Sequence, residues 1–220
     1  MALQLGDKAP DFVAETTQGR IHFHEWLGDS WGILFSHPKN FTPVCTTELG
    51  AMAELKGEFD RRDVKIIGLS VDPVSDHLQW RQDIEDVTGH ALNYPLAGDF
   101  RLKIAKLYGM LPTNAGDIST WRTAEDNQTV RSVFVIDPDK TICLIMNYPA
   151  STGRNFAEIL RVTESLQLAY RHKVATPANW HPGDDVIIAP ALSDEEAKKR
   201  FPTGWNTVKP YVRFVPHPHG

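Results

Sequence analysis

The chain has two thiols, Cys45 and Cys143, and their surroundings separate them. Cys45 follows Thr42-Pro43 by two residues. Threonine caps helices, and proline suits the first helical position because its missing N–H would go unsatisfied there anyway. Cys45 therefore sits in the first turn of a predicted helix. Free backbone N–H groups and the positive end of the helix dipole favour an anion there, so a thiol at that place reacts as the nucleophilic thiolate. Cys143 lies in Thr141-Ile142-Cys143-Leu144-Ile145-Met146, apolar on both faces, and reads as a small hydrophobe of the core. No Cys-x-x-Cys occurs, which argues against a dithiol reductase. The chemistry in prospect is that of one activated thiol.

The elements that must position Cys45 can be read from hydrophobic periodicity. Trp31 to Phe35 is a buried strand, followed by the loop His37-Pro38-Lys39-Asn40-Phe41. The helix then runs through Leu49, Met52, Leu55 and Phe59, one apolar stripe. A hairpin around Gln18-Gly19 precedes this unit. Val64 to Val71 is a second buried strand, and Asp72-Pro73 opens a helix ending near Gly89. A short helix precedes Gly109, residues 110–129 read as a polar loop, and Val130 to Ile136 is a third strand. Asp137-Pro138-Asp139-Lys140 turns it back into Thr141 to Met146, and Gly153 to Arg171 is a long helix. This alternation predicts an α/β fold with a central mixed sheet flanked by helices. After Lys173 prolines multiply and aromatics scatter, which predicts a small irregular C-terminal domain over 173–220, appended to a main domain over 1–172.

The run Pro38-Lys39-Asn40-Phe41-Thr42-Pro43-Val44-Cys45 contains Pro-x-x-x-Thr-x-x-Cys, and in this it resembles the active-site signature of the peroxiredoxins. Phe35-Ser36-His37-Pro38 before it and Thr46-Thr47-Glu48-Leu49 after it are similar to the one-cysteine branch of that family. So are Arg131-Ser132-Val133-Phe134-Val135-Ile136, Tyr148-Pro149-Ala150-Ser151-Thr152-Gly153-Arg154-Asn155, Val174-Ala175-Thr176-Pro177 and Glu195-Glu196-Ala197-Lys198-Lys199. The resemblance covers nearly the whole chain. It implies a thioredoxin-like fold and a thiol peroxidase, with no cofactor, that reduces hydrogen peroxide and organic hydroperoxides in antioxidant defence. Cys45 would be the nucleophile and would become a sulfenic acid. Arg131 would hold the thiolate and polarise the peroxide. The Thr42 hydroxyl would bond to sulfur and peroxide oxygen, a role compatible with capping, and Pro38 would shield the pocket. His37 is either a pocket histidine or one packed at a strand end. Glu48 either organises the arginine or is a helix-surface carboxylate. Arg154, a cation at a helix start, is better explained by support of the Cys45 site than by a surface role.

Two-cysteine relatives resolve the sulfenic acid with a tail cysteine in Val-Cys-Pro; here the matching stretch is Val174-Ala175-Thr176-Pro177. An external thiol is therefore expected as reductant: glutathione, a thioredoxin-type protein or another small thiol. The family also implies a homodimer or higher homo-oligomer, with the C-terminal extension packing on the partner. A peroxide sensor or holdase using the same thiolate is a competing reading, which multiple turnovers with added thiol would exclude. A second is phospholipase A2 activity at Ser30, because Gly28-Asp29-Ser30-Trp31-Gly32 matches Gly-x-Ser-x-Gly with His24 and Asp139 as partners. A nucleophile elbow, however, runs strand, turn, helix, and here the motif precedes a strand.

The remaining features are bland. The 23 Lys and Arg against 28 Asp and Glu give a net charge of −5, and no dense basic run offers the counterion release on which nucleic-acid binding depends. Lys198-Lys199-Arg200 follows Asp194-Glu195-Glu196 as opposite charges on one solvated helix. His22 with His24, and His217 with His219, lack a third ligand, so no metal site is expected. No apolar run reaches the roughly 20 residues of a membrane span. The N-terminus has no signal-peptide pattern, and the expected location is the cytoplasm.

Overall fold

A computed structural model of the chain describes residues 3–111 and 131–218. By internal contacts the chain divides into two compact units, Met1–Phe156 and Ala157–Gly220. This division falls at the first residue of the long helix, whereas the sequence composition shifts after it.

The first unit begins with β1 (Val13–Thr16), β2 (Gly19–His22), α1 (Phe23–Leu27) and β3 (Trp31–Ser36). It continues through α2 (Pro43–Asp60), β4 (Val64–Ser70), α3 (Val74–Thr88), β5 (Leu96–Gly98) and α4 (Lys103–Leu107). It closes with β6 (Arg131–Ile136) and β7 (Ile142–Tyr148). Seven strands form one mixed sheet in the order β2-β1-β5-β4-β3-β6-β7. Strands β3, β4 and β5 are parallel; β6 returns antiparallel to β3, and β7 antiparallel to β6. The central strands explain themselves: every residue of β3 and β6 is buried, as expected of strands covered on both faces, which read as continuous apolar runs rather than alternating ones. Phe12, Phe23, Leu34, Ile67, Leu102, Tyr108 and Phe134 join the main core. Phe12 stacks on Phe23 at 4.5 Å between ring centres, and Tyr108 meets Phe134 edge-on at 5.1 Å. Each such side chain contributes about 1.5–3 kcal/mol by leaving water.

The sequence reading missed α1 and β5, both too short to show a period. The expected polar loop over 110–129 lies outside the described residues beyond Leu111. Cys143 departs from its expected place in the deep core: it is only half-buried, because β7 is the last strand of the sheet and Leu144, Ile145 and Met146 beside it are half-exposed too.

The second unit consists of α5 (Phe156–His172, all but its first residue), β8 (Val174–Ala175), β9 (Val186–Ile188), α6 (Asp194–Arg200), β10 (Asn206–Lys209) and β11 (Val212–Val215). The expectation of an irregular C-terminal domain is corrected here. The four strands pair antiparallel in the order β10-β11-β9-β8. Strands of two to four residues separated by prolines carry no periodic signal, and only their pairing makes them a sheet. The scattered aromatics Trp180 and Phe201 belong to its core with Val174, Val186, Ile188 and Val215. The charged helix expected around residue 195 is α6, closed by a capping box in which Ser193 Oγ accepts from the Glu196 amide and Glu196 Oε2 accepts from the Ser193 amide.

Candidate active site

Cys45 lies in the first turn of α2 and is fully buried. Thr42 is the N-cap by its backbone, at φ −120° and ψ 144°, with Pro43 next. Its hydroxyl, however, makes no capping bond; it donates to Lys39 O at 2.9 Å. The first helical N–H with an intrahelical acceptor is that of Thr46, bonded to Thr42 O at 3.0 Å. The amides of Val44 and Cys45 thus have no carbonyl of their own helix to bond, which leaves the positive end of α2 beside the sulfur.

One turn along, Glu48 is buried and holds two arginines. Arg131 Nη1 donates to Glu48 Oε2 at 2.5 Å. Arg154 donates from Nε to Oε1 at 2.9 Å, from Nη2 to Oε2 at 2.8 Å and from its backbone N–H to Oε1 at 2.8 Å. Both pairs are nearly inaccessible to solvent, with the Arg154 side chain 0% and Glu48 2% exposed. Arg131 also donates from Nε and Nη2 to Ala150 O at 3.0 and 2.8 Å. That leaves two of its five N–H groups, one on each terminal nitrogen, without an acceptor among the described residues. Arg154 Nη1 donates to Ser132 O at 3.0 Å, and its guanidinium lies over Phe35 and Phe156 at 5.2 and 5.5 Å. Two cations and one carboxylate carry a net charge of +1 in a buried place. Burial of a net charge without a counter-ion is expensive, so the cluster favours an anion beside it.

The sheet makes this meeting possible. In the antiparallel register Phe35 faces Val133, so Arg131 at the start of β6 comes level with the point where β3 runs into the loop His37–Thr42. Ser132 N donates to Ser36 Oγ at 3.2 Å at that junction. Pro38 and His37 are both buried there. Burial, then the neighbouring His77, Arg154 and Arg131, brings the His37 pKa down to about 3 against a hydrogen bond to Asn40 that raises it. His37 Nε2 lies 2.9 Å from Asn40 Oδ1.

The structure thus gathers Arg131, Glu48 and Arg154 by direct contact beside the helix that carries Cys45, and sets Pro38, His37 and Thr42 on the loop leading into it. Sequence reading missed Asn40, His77 and Asp72. Asn40 was visible as the one amide in the signature loop; His77 had no local signal.

Cys143 is a different thiol. Burial, then the charge of Asp137, pushes its pKa up to about 11, and Sγ lies 3.7 Å from Asp137 Oδ2. Ser30 sits in the turn between α1 and β3, and its hydroxyl donates to Asp63 Oδ1 at 2.7 Å. His24 Nε2 instead lies 2.8 Å from Ala9 O. The element order, helix–turn–strand, is the reverse of a nucleophile elbow. No group of three or more His, Cys, Asp or Glu suited to a metal ion occurs among the described residues.

Residues 5–145 match the AhpC/TSA family, and residues 165–204 match the C-terminal domain of 1-Cys peroxiredoxin. This chain belongs to the one-cysteine peroxiredoxins. It is 50% identical over 217 residues to the 1-Cys peroxiredoxin of Dictyostelium discoideum, covering 99% of this chain and 86% of that one. To human peroxiredoxin-6 it is 51% identical over 226 residues, with 98% of each chain covered. A solved yeast mitochondrial 1-Cys peroxiredoxin, described for its thiol resolving mechanism via the glutathione and thioredoxin systems, superposes with a TM-score of 0.91 at 49% identity. That match covers 97% of this chain and 99% of the other. The fold is therefore the thioredoxin-like one that the sequence resemblance implied, and the peroxiredoxin activity is that of a thiol peroxidase. No helix among the described residues is long and apolar enough to cross a membrane.

Proposed function

We propose that Cys45 is the peroxide-reducing nucleophile, with Arg131, Thr42 and Pro38 as its immediate machinery. The observation that carries this reading is the buried Glu48–Arg131–Arg154 cluster, whose net charge of +1 lies one helical turn from the only thiol at a helix N-terminus. The Cys45 thiolate attacks one oxygen of ROOH; the S–O bond forms as the O–O bond breaks. RO⁻ leaves and takes a proton from solvent or a pocket donor, and Cys45 sulfenic acid remains. The two uncommitted N–H groups of Arg131 hold the sulfur anion and the charge that grows on the leaving oxygen. Thr42 has given its hydrogen to Lys39 O, so its oxygen is left as an acceptor only. Pro38 closes the wall. Glu48 and Arg154 fix the guanidinium of Arg131. Peroxide titration of wild type and Cys45→Ser, read by intact mass, tests the assignment: oxygen adds to Cys45 and to no other residue at stoichiometric peroxide.

The sulfenic acid is released by an external thiol, through a mixed disulfide with glutathione or a thioredoxin-type protein. The solved yeast relative, resolved through those systems, supports this, as does the raised pKa of Cys143, which keeps that thiol protonated near neutrality. Cys143→Ser is expected to turn over peroxide at the wild-type rate; a folded variant without turnover contradicts the one-cysteine cycle. The working molecule is a homodimer or larger, with the 173–220 segment contributing to contacts between subunits. The half-exposed apolar edge strand β7 supports self-association.

A further inference from the structure

Behind the signature loop lies a buried polar chain that the peroxidase mechanism above does not use. His77, on α3, is fully buried. Its Nε2 lies 3.2 Å from Ala97 O, and its Nδ1 lies 2.8 Å from Asn40 Nδ2. Asn40 Oδ1 in turn lies 2.9 Å from His37 Nε2. The Asn40 backbone is pinned, since its N–H donates to Asp72 Oδ2 at 2.7 Å, an oxygen that also accepts from Ser70 Oγ at 3.1 Å. His37 is wedged against the rings of Trp80 and His77 at 5.7 and 5.8 Å. Its Nδ1 is buried with no hydrogen-bond partner among the described residues.

Donor and acceptor rules run along this chain in one direction. A backbone carbonyl only accepts, so His77 carries its proton on Nε2. Neutral His77 is then an acceptor at Nδ1 and takes the N–H of the Asn40 amide. That fixes Asn40 with Oδ1 toward His37, close to His77 Nδ1 as well at 3.1 Å. An amide oxygen only accepts, so His37 donates from Nε2, and its Nδ1 is left with a bare lone pair. Desolvation by burial keeps both imidazoles neutral, lowering the pKa of His37 to about 3 and that of His77 below its ordinary value despite the charges of Asp72 and Asp76.

We propose that Asn40 and His77 are positioning residues of the peroxidase site, which lock His37 in the tautomer whose Nδ1 accepts a hydrogen bond from the O–H of the peroxide and then of Cys45 sulfenic acid. The proposal rests on Cys45 being the nucleophile. His37 lies near enough to Arg131 and Arg154 to feel both charges, and Glu48, one turn from Cys45, holds both. Those guanidinium groups offer only donors. A peroxide also carries a hydrogen, and a rigid, unoccupied acceptor gives that hydrogen a fixed place, orienting the oxygen under attack. His37 accepts a hydrogen bond and transfers no proton. Leaving a buried acceptor unpaired is unfavourable, so the empty Nδ1 is a standing preference for an O–H ligand.

Histidine-15N-labelled wild type, observed by long-range proton–nitrogen correlation at pH 7, tests the tautomer without reference to activity. A bare Nδ1 and a protonated Nε2 on His37 are expected; a proton on Nδ1, or a mixture, overturns the proposal. Stopped-flow oxidation by hydrogen peroxide tests its use. In His77→Phe the second-order rate constant should fall about ten-fold, the worth of one hydrogen bond, with mixed tautomers at His37. His77→Gln, which restores an amide donor and acceptor, should recover most of the rate. A folded His77→Phe with wild-type kinetics overturns it. Failure of Cys45 itself as the nucleophile shows separately, in the mass of the peroxide-treated Cys45→Ser variant.

Discussion

The most consequential residue beside Cys45 is Glu48, because its carboxylate is what permits two arginines to be buried together. Removing one member of a buried ionic cluster typically costs about 3–5 kcal/mol, since the partners remain charged and unmatched. Glu48→Gln keeps the shape and loses the charge. It is expected to destabilise the fold by about 3 kcal/mol in urea unfolding and to slow oxidation of Cys45, because Arg131 is no longer held. The buried histidines set an acid limit. His37 titrates near 3 when folded against 6.5 in an open chain. Below pH 6.5 the unfolded chain takes up a proton that the folded one refuses, so stability falls as the pH drops from 6.5 toward 3. The slope from this one group approaches about 1.4 kcal/mol per pH unit, and His77, also lowered, adds to it. Above pH 6.5 neither contributes. Urea unfolding at pH 7, 6, 5 and 4 should show this decline, and His77→Gln should make it shallower.

Among the elements, α2 does the most, since it presents Cys45 at one end and packs on α3 and β4 along its length. Its close approach to α3 depends on Gly50. A methyl there would lie 2.3 Å from Thr88 Oγ1 and 2.5 Å from Thr88 Cγ2. Thr88 has little room to yield, because its hydroxyl donates to Ile84 O at 2.7 Å. Alanine would gain about 1 kcal/mol in helix propensity, while overpacking costs about 1–3 kcal/mol. The clash wins by a modest margin: Gly50→Ala should lower the melting temperature by a few degrees, which calorimetry can check.

For the molecule as a whole, the β7 edge of the sheet matters most, where the N-terminal segment bonds only Ile142 among the described residues of that strand. Natural proteins rarely leave a long apolar edge strand bare, and β7 ends the seven-stranded sheet with Leu144, Ile145 and Met146 half-exposed. Light scattering at micromolar concentration is expected to give at least a dimer. Leu144→Arg should shift it toward monomer, and a wild-type monomer would refute the assembly.

Local patterns in the sequence were enough to place Cys45 at a helix start, to find the strands β3, β4 and β6 as apolar runs, and, with the family resemblance, to single out Arg131, Glu48 and Arg154. These signals are local because a cap, a stripe or a strand is written within a few residues. What only the tertiary structure decided is long-range. The register of β6 on β3 brings Arg131 to the loop before α2, and the carboxylate of Glu48 joins it to Arg154. The pairing of four short strands turned an apparently irregular tail into a sheet. His77, on a separate helix, reaches the signature loop through Asn40. None of these contacts has a period or a motif, for each depends on where two distant segments of chain meet.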